Sequence, residues 1–221
     1  MNAAKGIIFD FNGTLFFDYQ ENRDAWDETA RLYRGYPFGE EEFLSMMGKL
    51  NRDCAAYICP SASIEELDRI SEEKEAIYKR LCRERGLTLE KDAMAFIRKA
   101  RERGVKVMIA SSAPRGNMDW YEENLGLLEF FEKEDIVAGR NDIKGKPAPD
   151  VYLYTQKKGG LKGDECICFE DAPSGLMAGN AAGFRRVYAI DSPGMDSSVT
   201  SRLAPLVTWR WVLENIDEVL S

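Results

Sequence analysis

Apolar and polar positions change along the chain in regular blocks, and each block predicts one element of secondary structure. Five short, mostly apolar segments predict buried strands: KGIIFDF, VKVMIASS, EDIVAG, CICFED and RRVYAID. Five longer segments between and after them predict helices: EKDAMAFIRKARERG, NMDWYEENLGLLEFF, APDVYLYTQKKGG, PSGLMAGNAAG and WRWVLENIDEVL. Strands that alternate with helices predict an α/β fold with a doubly wound parallel sheet, that is, a Rossmann-like core covered on both faces.

A charged block rich in helix-forming residues interrupts this alternation after the first strand. Its segments ENRDAWDETARLYRGY and SIEELDRISEEKEAIYKRLCRERG carry apolar residues at helical spacing, and Gly86 is a typical helix stop. We therefore expect an inserted α-helical cap domain at residues 16–88 and a core domain formed by residues 1–15 and 89–221. The segment DSPGMDSSVTSR is the one long stretch typical of a polar loop.

Composition narrows the possible partners and chemistry. The formal charge of −8 disfavours nucleic acid and anionic membranes, both of which attract basic proteins. No apolar run has the length of a membrane span, and five scattered cysteines without zinc-finger spacing are typical of a reducing cytoplasm. The chain has no histidine, which excludes Ser-His-Asp and Cys-His catalysis and His-ligated zinc.

Polar side chains follow three of the predicted strands. Asp10 ends the first strand, Ser111 and Ser112 end the second, and Glu170 and Asp171 end a later one. Ligands of open α/β sheets bind beyond the carboxyl ends of the strands, so these side chains converge if the three strands are neighbours.

A cation and an anion would fit such a cluster. Three acids in one pocket need a cation to neutralise their charge. With oxygen ligands alone, Mg²⁺ is the natural choice, and it usually keeps water and phosphate oxygens in its coordination shell. Ser111, Lys146 and the backbone amides of a Gly13–Thr14 turn offer the donors that phosphate oxygens need. The arrangement indicates phosphoryl transfer through an aspartyl phosphate.

Four segments, taken together and in order, resemble the four motifs of the haloacid dehalogenase (HAD) superfamily. They are DFNGTL, VMIASS, KGKPAPD and CICFEDAPSG, and the resemblance covers nearly the whole chain. Helical residues between the first two motifs resemble the subgroup with a small helical cap. The segments KPAPD, EDAPSG and SSAPRGN are most similar to the β-phosphoglucomutase-like branch, which contains sugar-phosphate phosphatases and mutases.

The resemblance assigns a role to each motif residue. Asp10 matches the nucleophile, Ser111 the phosphate-binding hydroxyl, and Lys146 the lysine that steadies nucleophile and phosphate. Ser112 and Lys144 are the alternatives to Ser111 and Lys146. Glu170 and Asp171 match the acidic pair that holds Mg²⁺ together with Asp10 and the backbone carbonyl of residue 12.

Cap residues that contact substrate are also suggested by the resemblance. The segment NRDAW places Asn22 where the mutases usually carry a histidine, and GKLNRD makes Arg52 a candidate for gripping a distal phosphate or sugar hydroxyls. Lys74 stands where the branch often places a lysine that faces the cleft. Solvent-exposed side chains with only structural roles are the competing interpretation for all three.

Asn12 departs from the family pattern, because relatives carry an acid/base aspartate there. An amide cannot exchange a proton near neutral pH, so we expect catalysis to be slowed rather than abolished. The leading hypothesis is a Mg²⁺-dependent phosphohydrolase of a small phosphorylated metabolite, such as a sugar phosphate. Alternatives are a phosphoglucomutase-like phosphoryl transferase, an engineered Asp→Asn variant, partial deamidation of Asn12-Gly13, or a catalytically weakened phosphate-binding protein. We expect a cytoplasmic monomer or small homo-oligomer.

Overall fold

The computed structural model describes residues 3–46, 49–140 and 142–221. Six strands form one sheet, and in chain order they are β1 (Gly6–Phe9), β2 (Lys106–Pro114), β3 (Ile136–Gly139), β4 (Cys166–Glu170), β5 (Arg186–Ile190) and β6 (Leu206–Val207). All neighbouring strands are parallel, in the order β3-β2-β1-β4-β5-β6. β1 and β4 are buried at every position, as expected for strands covered on both faces. The predicted α/β class with a doubly wound parallel sheet is confirmed.

Helices connect the strands and form the inserted block. In chain order they are α1 (Tyr19–Arg34), α2 (Glu40–Met46), α3 (Asn51–Ile58), α4 (Ile64–Glu84), α5 (Lys91–Glu102), α6 (Arg115–Asn124), α7 (Asp150–Gly159), α8 (Pro173–Ala181), α9 (Ser197–Thr200), α10 (Trp209–Glu214) and α11 (Ile216–Leu220). Within the described part of the chain, no helix has an apolar run that would span a bilayer.

The chain divides into two compact units, one formed by the residues up to Phe17 and from Thr88 onward, the other by Asp18–Leu87. The first unit contains the sheet. On one side of the sheet, Ile8 and Cys168 form a buried cluster with Tyr152 of α7 and Leu176 of α8. Ile8 and Cys168 are register partners on neighbouring strands, which is why their side chains share one face of the sheet.

The opposite face of the sheet is aromatic. Phe9, Phe169 and Tyr188 are register partners on the neighbouring strands β1, β4 and β5, and their rings stack in sequence. Phe96 of α5 and Trp209 of α10 pack against Phe169 from outside the sheet. The polar residues that follow β1 and β4 are therefore carried on rigid, fully packed strands.

The second unit consists of α1 to α4. Its buried apolar cluster comprises Trp26, Ala30, Phe38, Phe43, Met46, Cys54 and Ile58. Helix α4 begins with a capping box in which the Ser63 side chain and the Glu66 side chain each accept a hydrogen bond from the other residue's backbone amide. The helical character predicted for this block is present in all four elements.

Three segments differ from their predicted structure. The helix predicted over NMDWYEENLGLLEFF ends at Asn124, because Gly126 takes a left-handed conformation with φ of 65° before a single 3₁₀ turn. The terminal helix divides at Asn215, whose non-helical backbone and side-chain bond to the Trp211 carbonyl separate α10 from α11. The polar segment predicted as a loop contains α9, which Asp196 caps through Ser198.

Candidate active site

Three neighbouring strands bring the predicted polar residues to one edge of the sheet. β1 lies between β2 and β4, and Phe9 of β1 is in register with Ile109 of β2 and Phe169 of β4. Asp10 immediately follows Phe9, and Glu170 immediately follows Phe169. The condition on which the sequence argument depended, adjacency of these strands, is met.

The three predicted acids form one buried cluster. Asp10, Glu170 and Asp171 each contribute a carboxylate oxygen, and these oxygens all lie within 4.8 Å of one another. The three residues are 8%, 1% and 5% exposed, respectively. Buried like charges at this separation repel strongly, so the cluster requires a positive partner.

Lys146 supplies positive charge to the cluster. Its Nζ donates hydrogen bonds to Asp10 Oδ1 and Glu170 Oε1, both at 2.5 Å, and to the Ala110 carbonyl oxygen at 3.3 Å. Burial acts to lower the pKa of Lys146, but the two carboxylates outweigh it and raise the pKa above its usual value. The ammonium therefore stays charged and links the nucleophile candidate to the acidic pair. Lys144, the alternative, is exposed.

Tyr152, which the sequence analysis did not single out, fixes the Glu170 carboxylate. Its hydroxyl donates to Glu170 Oε1 at 2.6 Å, and the backbone amides of Asp171 and Ala172 donate to Oε2 at 3.1 and 3.4 Å. Burial and the nearby anions raise the pKa of Tyr152 well above its usual value, so it acts as a donor. A buried tyrosine needs a partner for its hydroxyl, but sequence does not identify that partner.

The turn after Asp10 packs tightly against Asp171. Gly13 has φ of 75°, and a Cβ atom there would lie 2.0 Å from Asp171 Oδ2. Thr14 Oγ1 donates to Asp171 Oδ1 at 3.4 Å. The amide of Gly13 donates to the Phe16 carbonyl, and that of Thr14 donates to Phe11, which differs from the expectation that both face an anion. The turn uses these amides to close on itself.

The two serines of β2 differ in their environment. Ser111 is 1% exposed, and its Oγ accepts a hydrogen bond from the Ala113 amide at 3.0 Å. Ser112 is exposed. The β2–β3 register shifts between Ala110 and Pro114, so the pairing of this segment with β3 is irregular next to the site.

The Asn12 side chain is held by a buried tyrosine of α6. Asn12 Nδ2 donates to the hydroxyl oxygen of Tyr121 at 3.0 Å. Tyr121 is 1% exposed, and its ring packs at 4.5 Å from Phe11 and 5.6 Å from Phe16. The side chain at position 12 thus belongs to the packed turn. Tyr121 was not predicted to contribute, because only the fold brings it to position 12.

In the helical unit, two of the predicted cap residues contact each other. Lys74 is 3% exposed, and its Nζ donates to Asn22 Oδ1 at 2.7 Å and to Glu75 Oε1 at 3.0 Å. Asn51 Nδ2 donates to the same Glu75 oxygen at 2.6 Å. The competing interpretation of Lys74 as a solvated helix residue is wrong, because its side chain is buried.

Arg52 is placed differently from Lys74. Its guanidinium makes an exposed, bidentate ion pair with Asp68 of α4, with distances from 2.6 to 2.9 Å. Both side chains are about half exposed, so solvent screens the pair and leaves Arg52 able to exchange partners. Gly48 of the GKLNRD segment lies outside the described residues.

The site fits a small hard cation. Its charged ligand candidates are carboxylate oxygens only, from Asp10, Glu170 and Asp171, which is the donor set that Mg²⁺ prefers. The absence of a side chain at Gly13 lets the Asp171 carboxylate lie directly against the turn that follows Asp10. The backbone carbonyl of Asn12 is the further ligand that the motif resemblance suggests.

Comparison with known proteins agrees with this geometry. The family model described as haloacid dehalogenase-like hydrolase matches residues 4–183. The phosphorylated carbohydrates phosphatase of Thermotoga maritima is 26% identical over 192 residues, which cover 84% of this chain and 85% of that protein.

Solved structures show the same fold. A HAD hydrolase, family IA, variant 3, from Entamoeba histolytica HM-1:IMSS is 30% identical, has a TM-score of 0.88, and is aligned over 98% of this chain and 97% of that chain. A β-phosphoglucomutase from Clostridium difficile has a TM-score of 0.78 at 19% identity, with 98% of each chain covered. At 19% identity the second similarity concerns the fold alone.

Proposed function

Because the chain belongs to the haloacid dehalogenase-like hydrolases, we propose that it is a Mg²⁺-dependent phosphatase of a small phosphorylated metabolite, of the β-phosphoglucomutase-like branch that its motifs resemble. The observation that carries the proposal is the buried cluster of Asp10, Glu170 and Asp171, with Lys146 bonded to two of these acids. The name of the Thermotoga maritima relative supports a phosphorylated carbohydrate as the substrate class.

Asp10 is the proposed nucleophile. An oxygen of its carboxylate attacks phosphorus, the bond from phosphorus to the leaving oxygen breaks, and the phosphoryl group is transferred to Asp10 as an aspartyl phosphate. Water then attacks the same phosphorus, inorganic phosphate leaves, and the Asp10 carboxylate is regenerated. Asp10 follows a buried strand and bonds to Lys146, so its carboxylate is held in a defined position.

Oxygens of Asp10, Glu170 and Asp171, together with the Asn12 carbonyl, are the proposed ligands of Mg²⁺. The ion would offset the repulsion between the carboxylates and the phosphate dianion. Tyr152 and two backbone amides orient Glu170 within this set. Metal ligands that are themselves hydrogen-bonded are typical of well-ordered sites.

Lys146 and Ser111 are the proposed contacts to the phosphate oxygens. The Lys146 ammonium already lies against Asp10, where negative charge builds up during transfer. Ser111 is buried at the same edge of the sheet, and its hydroxyl hydrogen is not committed by the bond from Ala113, which it accepts. Ser112 is the remaining proposed phosphate contact of the core unit, whereas the Gly13 and Thr14 amides bond within their own turn.

Asn12 sets the rate of the proposed reaction. The amide can hydrogen-bond to the leaving oxygen, but it can neither protonate this oxygen nor deprotonate the attacking water. The lack of a proton donor slows cleavage most for phosphates with poor leaving groups, because an alkoxide must be protonated as it leaves. We therefore expect slow turnover of sugar phosphates and faster transfer from acyl or aryl phosphates.

The helical cap domain, residues 16–88, is the proposed source of substrate selectivity. Lys74 and Asn22 form one buried polar pair there, and Arg52 is the exposed cation of α3. Their contact with substrate remains a proposal. A reducing, cytoplasmic setting is proposed from the five free cysteines.

A panel of phosphorylated metabolites tests the function. Phosphate release is measured with and without Mg²⁺ for the protein, for Asn12→Asp and for Asp10→Asn. We expect Mg²⁺-dependent release that rises in Asn12→Asp and vanishes in Asp10→Asn. Isomerised sugar phosphate without released phosphate would indicate a mutase, and thermal stabilisation by phosphate without turnover in either form would indicate a binding protein. Either result would overturn the phosphatase proposal.

A further inference from the structure

Trp209, near the C-terminal end of the chain, reaches the turn that follows the nucleophile candidate. It is the first residue of α10, it is 3% exposed, and its Nε1 donates to the Thr14 carbonyl oxygen at 2.8 Å. Trp209 lies beyond the residues 4–183 that the family model matches, so the motif resemblance assigns it no role.

The Trp209 ring also packs beneath two strand ends. Its centroid lies 4.9 Å from the Phe169 ring and 6.0 Å from the Phe9 ring. Phe9 immediately precedes Asp10, and Phe169 immediately precedes Glu170. A shift of the indole would therefore displace Phe9 and Phe169, and with them the backbone that positions Asp10 and Glu170.

The turn is fixed from two sides. On one side the Thr14 hydroxyl bonds to Asp171, and on the other the Thr14 carbonyl accepts the bond from Trp209. The backbone between these two contacts continues into Gly13, which closes against Asp171. A displacement of the Thr14 carbonyl would move the Asn12 carbonyl and open this contact.

We propose that Trp209 is a positioning residue, which holds the Asn12–Thr14 turn so that its backbone and Asp171 present oxygens to the same cation. This rests on the proposed function for the Mg²⁺ ion and for the kinetic consequence, whereas the hydrogen bond and the packing exist regardless of the reaction. The buried N–H is the decisive group, since removing it leaves the Thr14 carbonyl buried without this donor.

The test uses Trp209→Phe, which keeps an aromatic ring but removes the N–H donor. Two residues of the same helix provide controls. Trp211→Phe removes an indole whose ring contacts only Tyr188 among the described aromatic pairs, and Val212→Ala removes buried apolar volume to match the loss of stability. Backbone hydrogen exchange of residues 12–16, the Mg²⁺ dissociation constant by calorimetry, and kcat and KM are measured for each.

For Trp209→Phe we expect faster exchange in residues 12–16, weaker Mg²⁺ binding, and a kcat lower by about three- to tenfold, the equivalent of one lost hydrogen bond. KM should stay within about twofold, since Trp209 contacts no substrate in the proposal. Both controls should retain wild-type Mg²⁺ affinity and kcat. The proposal is overturned if Trp209→Phe also retains them, or if Val212→Ala at equal stability loses as much.

Failure of the proposed function would be distinguishable from failure of this inference. If no variant releases phosphate, hydrogen exchange and Mg²⁺ affinity still decide the role of Trp209. If Trp209→Phe does not fold, replacement of Trp209 by benzothienylalanine removes the N–H donor while the bicyclic ring stays. Unchanged exchange and Mg²⁺ affinity in that variant would equally overturn the proposal.

Discussion

The side-chain amide of Asn12 donates a hydrogen bond to the hydroxyl oxygen of Tyr121, with 3.0 Å between the two atoms. Residue 12 matches the position at which the haloacid dehalogenase motif carries its acid/base aspartate. The Tyr121 ring packs against the rings of Phe11 and Phe16, which also stack on each other, so the hydroxyl that accepts from the amide is held in place. An aspartate at position 12 would find a hydroxyl ready to donate to it, which makes the site suited to either residue.

Asn12→Asp is predicted to raise turnover of alkyl phosphates. The new carboxyl group can protonate the leaving oxygen and then activate water, an effect typically worth ~10²–10⁴-fold. The measurement is phosphate release from sugar phosphates in the presence of Mg²⁺. Asn12→Ala is the matched control and should not gain activity. A rate that does not rise in Asn12→Asp would mean that position 12 is not the acid/base site.

Lys146→Met is predicted to destabilise the protein by about 3–5 kcal/mol in the absence of metal, because it leaves two buried carboxylates without their positive partner. Added Mg²⁺ should recover part of the loss by neutralising the same oxygens. Urea unfolding with and without Mg²⁺ measures both effects. Lys144→Met, on the exposed neighbour, should change stability little. Equal stability of the two variants would contradict the buried ion-pair arrangement.

Gly13→Ala is predicted to abolish Mg²⁺ binding. Its Cβ would lie 2.0 Å from Asp171 Oδ2, so either the turn or the carboxylate must move. Gly86→Ala provides the control, because Gly86 also has positive φ, of 63°, but no atom lies within 4 Å of its added Cβ. Gly86→Ala should cost only the backbone strain, about 1–2 kcal/mol, and leave Mg²⁺ affinity unchanged in calorimetry. Normal Mg²⁺ binding by Gly13→Ala would place the cation elsewhere.

The capping box of α4 predicts a pH-dependent stability of the helical unit. Hydrogen bonds from the Ser63 backbone amide and side chain lower the pKa of Glu66 below its ordinary 4.5. A lowered pKa in the folded state stabilises the protein above pH 4.5, and this contribution is lost as the pH falls through the folded-state value. The unfolding free energy of Glu66→Gln should therefore decline less below pH 4.5 than that of the wild type.

Glu65→Gln is the control for this pH dependence, since it removes one charge from the same turn outside the capping box. Circular dichroism at 222 nm during urea titrations at several pH values provides the measurement. A decline in Glu66→Gln as steep as that of the wild type would show that the Ser63–Glu66 contacts do not persist in solution.

The predicted strands were found because fully buried parallel strands carry a strong local signal, as in GIIF of β1 and CICFE of β4. The two residues of β6 are too few to form a pattern, and they pair only because β5 is already in place. The break between α10 and α11 depends on one asparagine inside an apolar period. Local signals thus define long elements better than short or interrupted ones.

The catalytic candidates were predictable for a related reason. Asp10 follows β1, Glu170 ends β4 and Asp171 follows β4, and strand order decides whether they meet. Tyr121, Tyr152 and Trp209 lie on helices, where each is equally consistent with ordinary core packing. Their polar atoms acquire partners only through tertiary contacts, so their roles could not be derived from the sequence.

The most direct test of the central claim is to look for phosphate on Asp10. The protein is incubated with acetyl phosphate and Mg²⁺, quenched in acid, and analysed by peptide mass spectrometry. Because acetyl phosphate needs little proton donation and Asn12 cannot activate water, we expect one phosphoryl group to accumulate on the peptide that contains Asp10, and none without Mg²⁺ or in Asp10→Asn. A phosphoryl group on another residue, or labelling that persists in Asp10→Asn, would contradict the account.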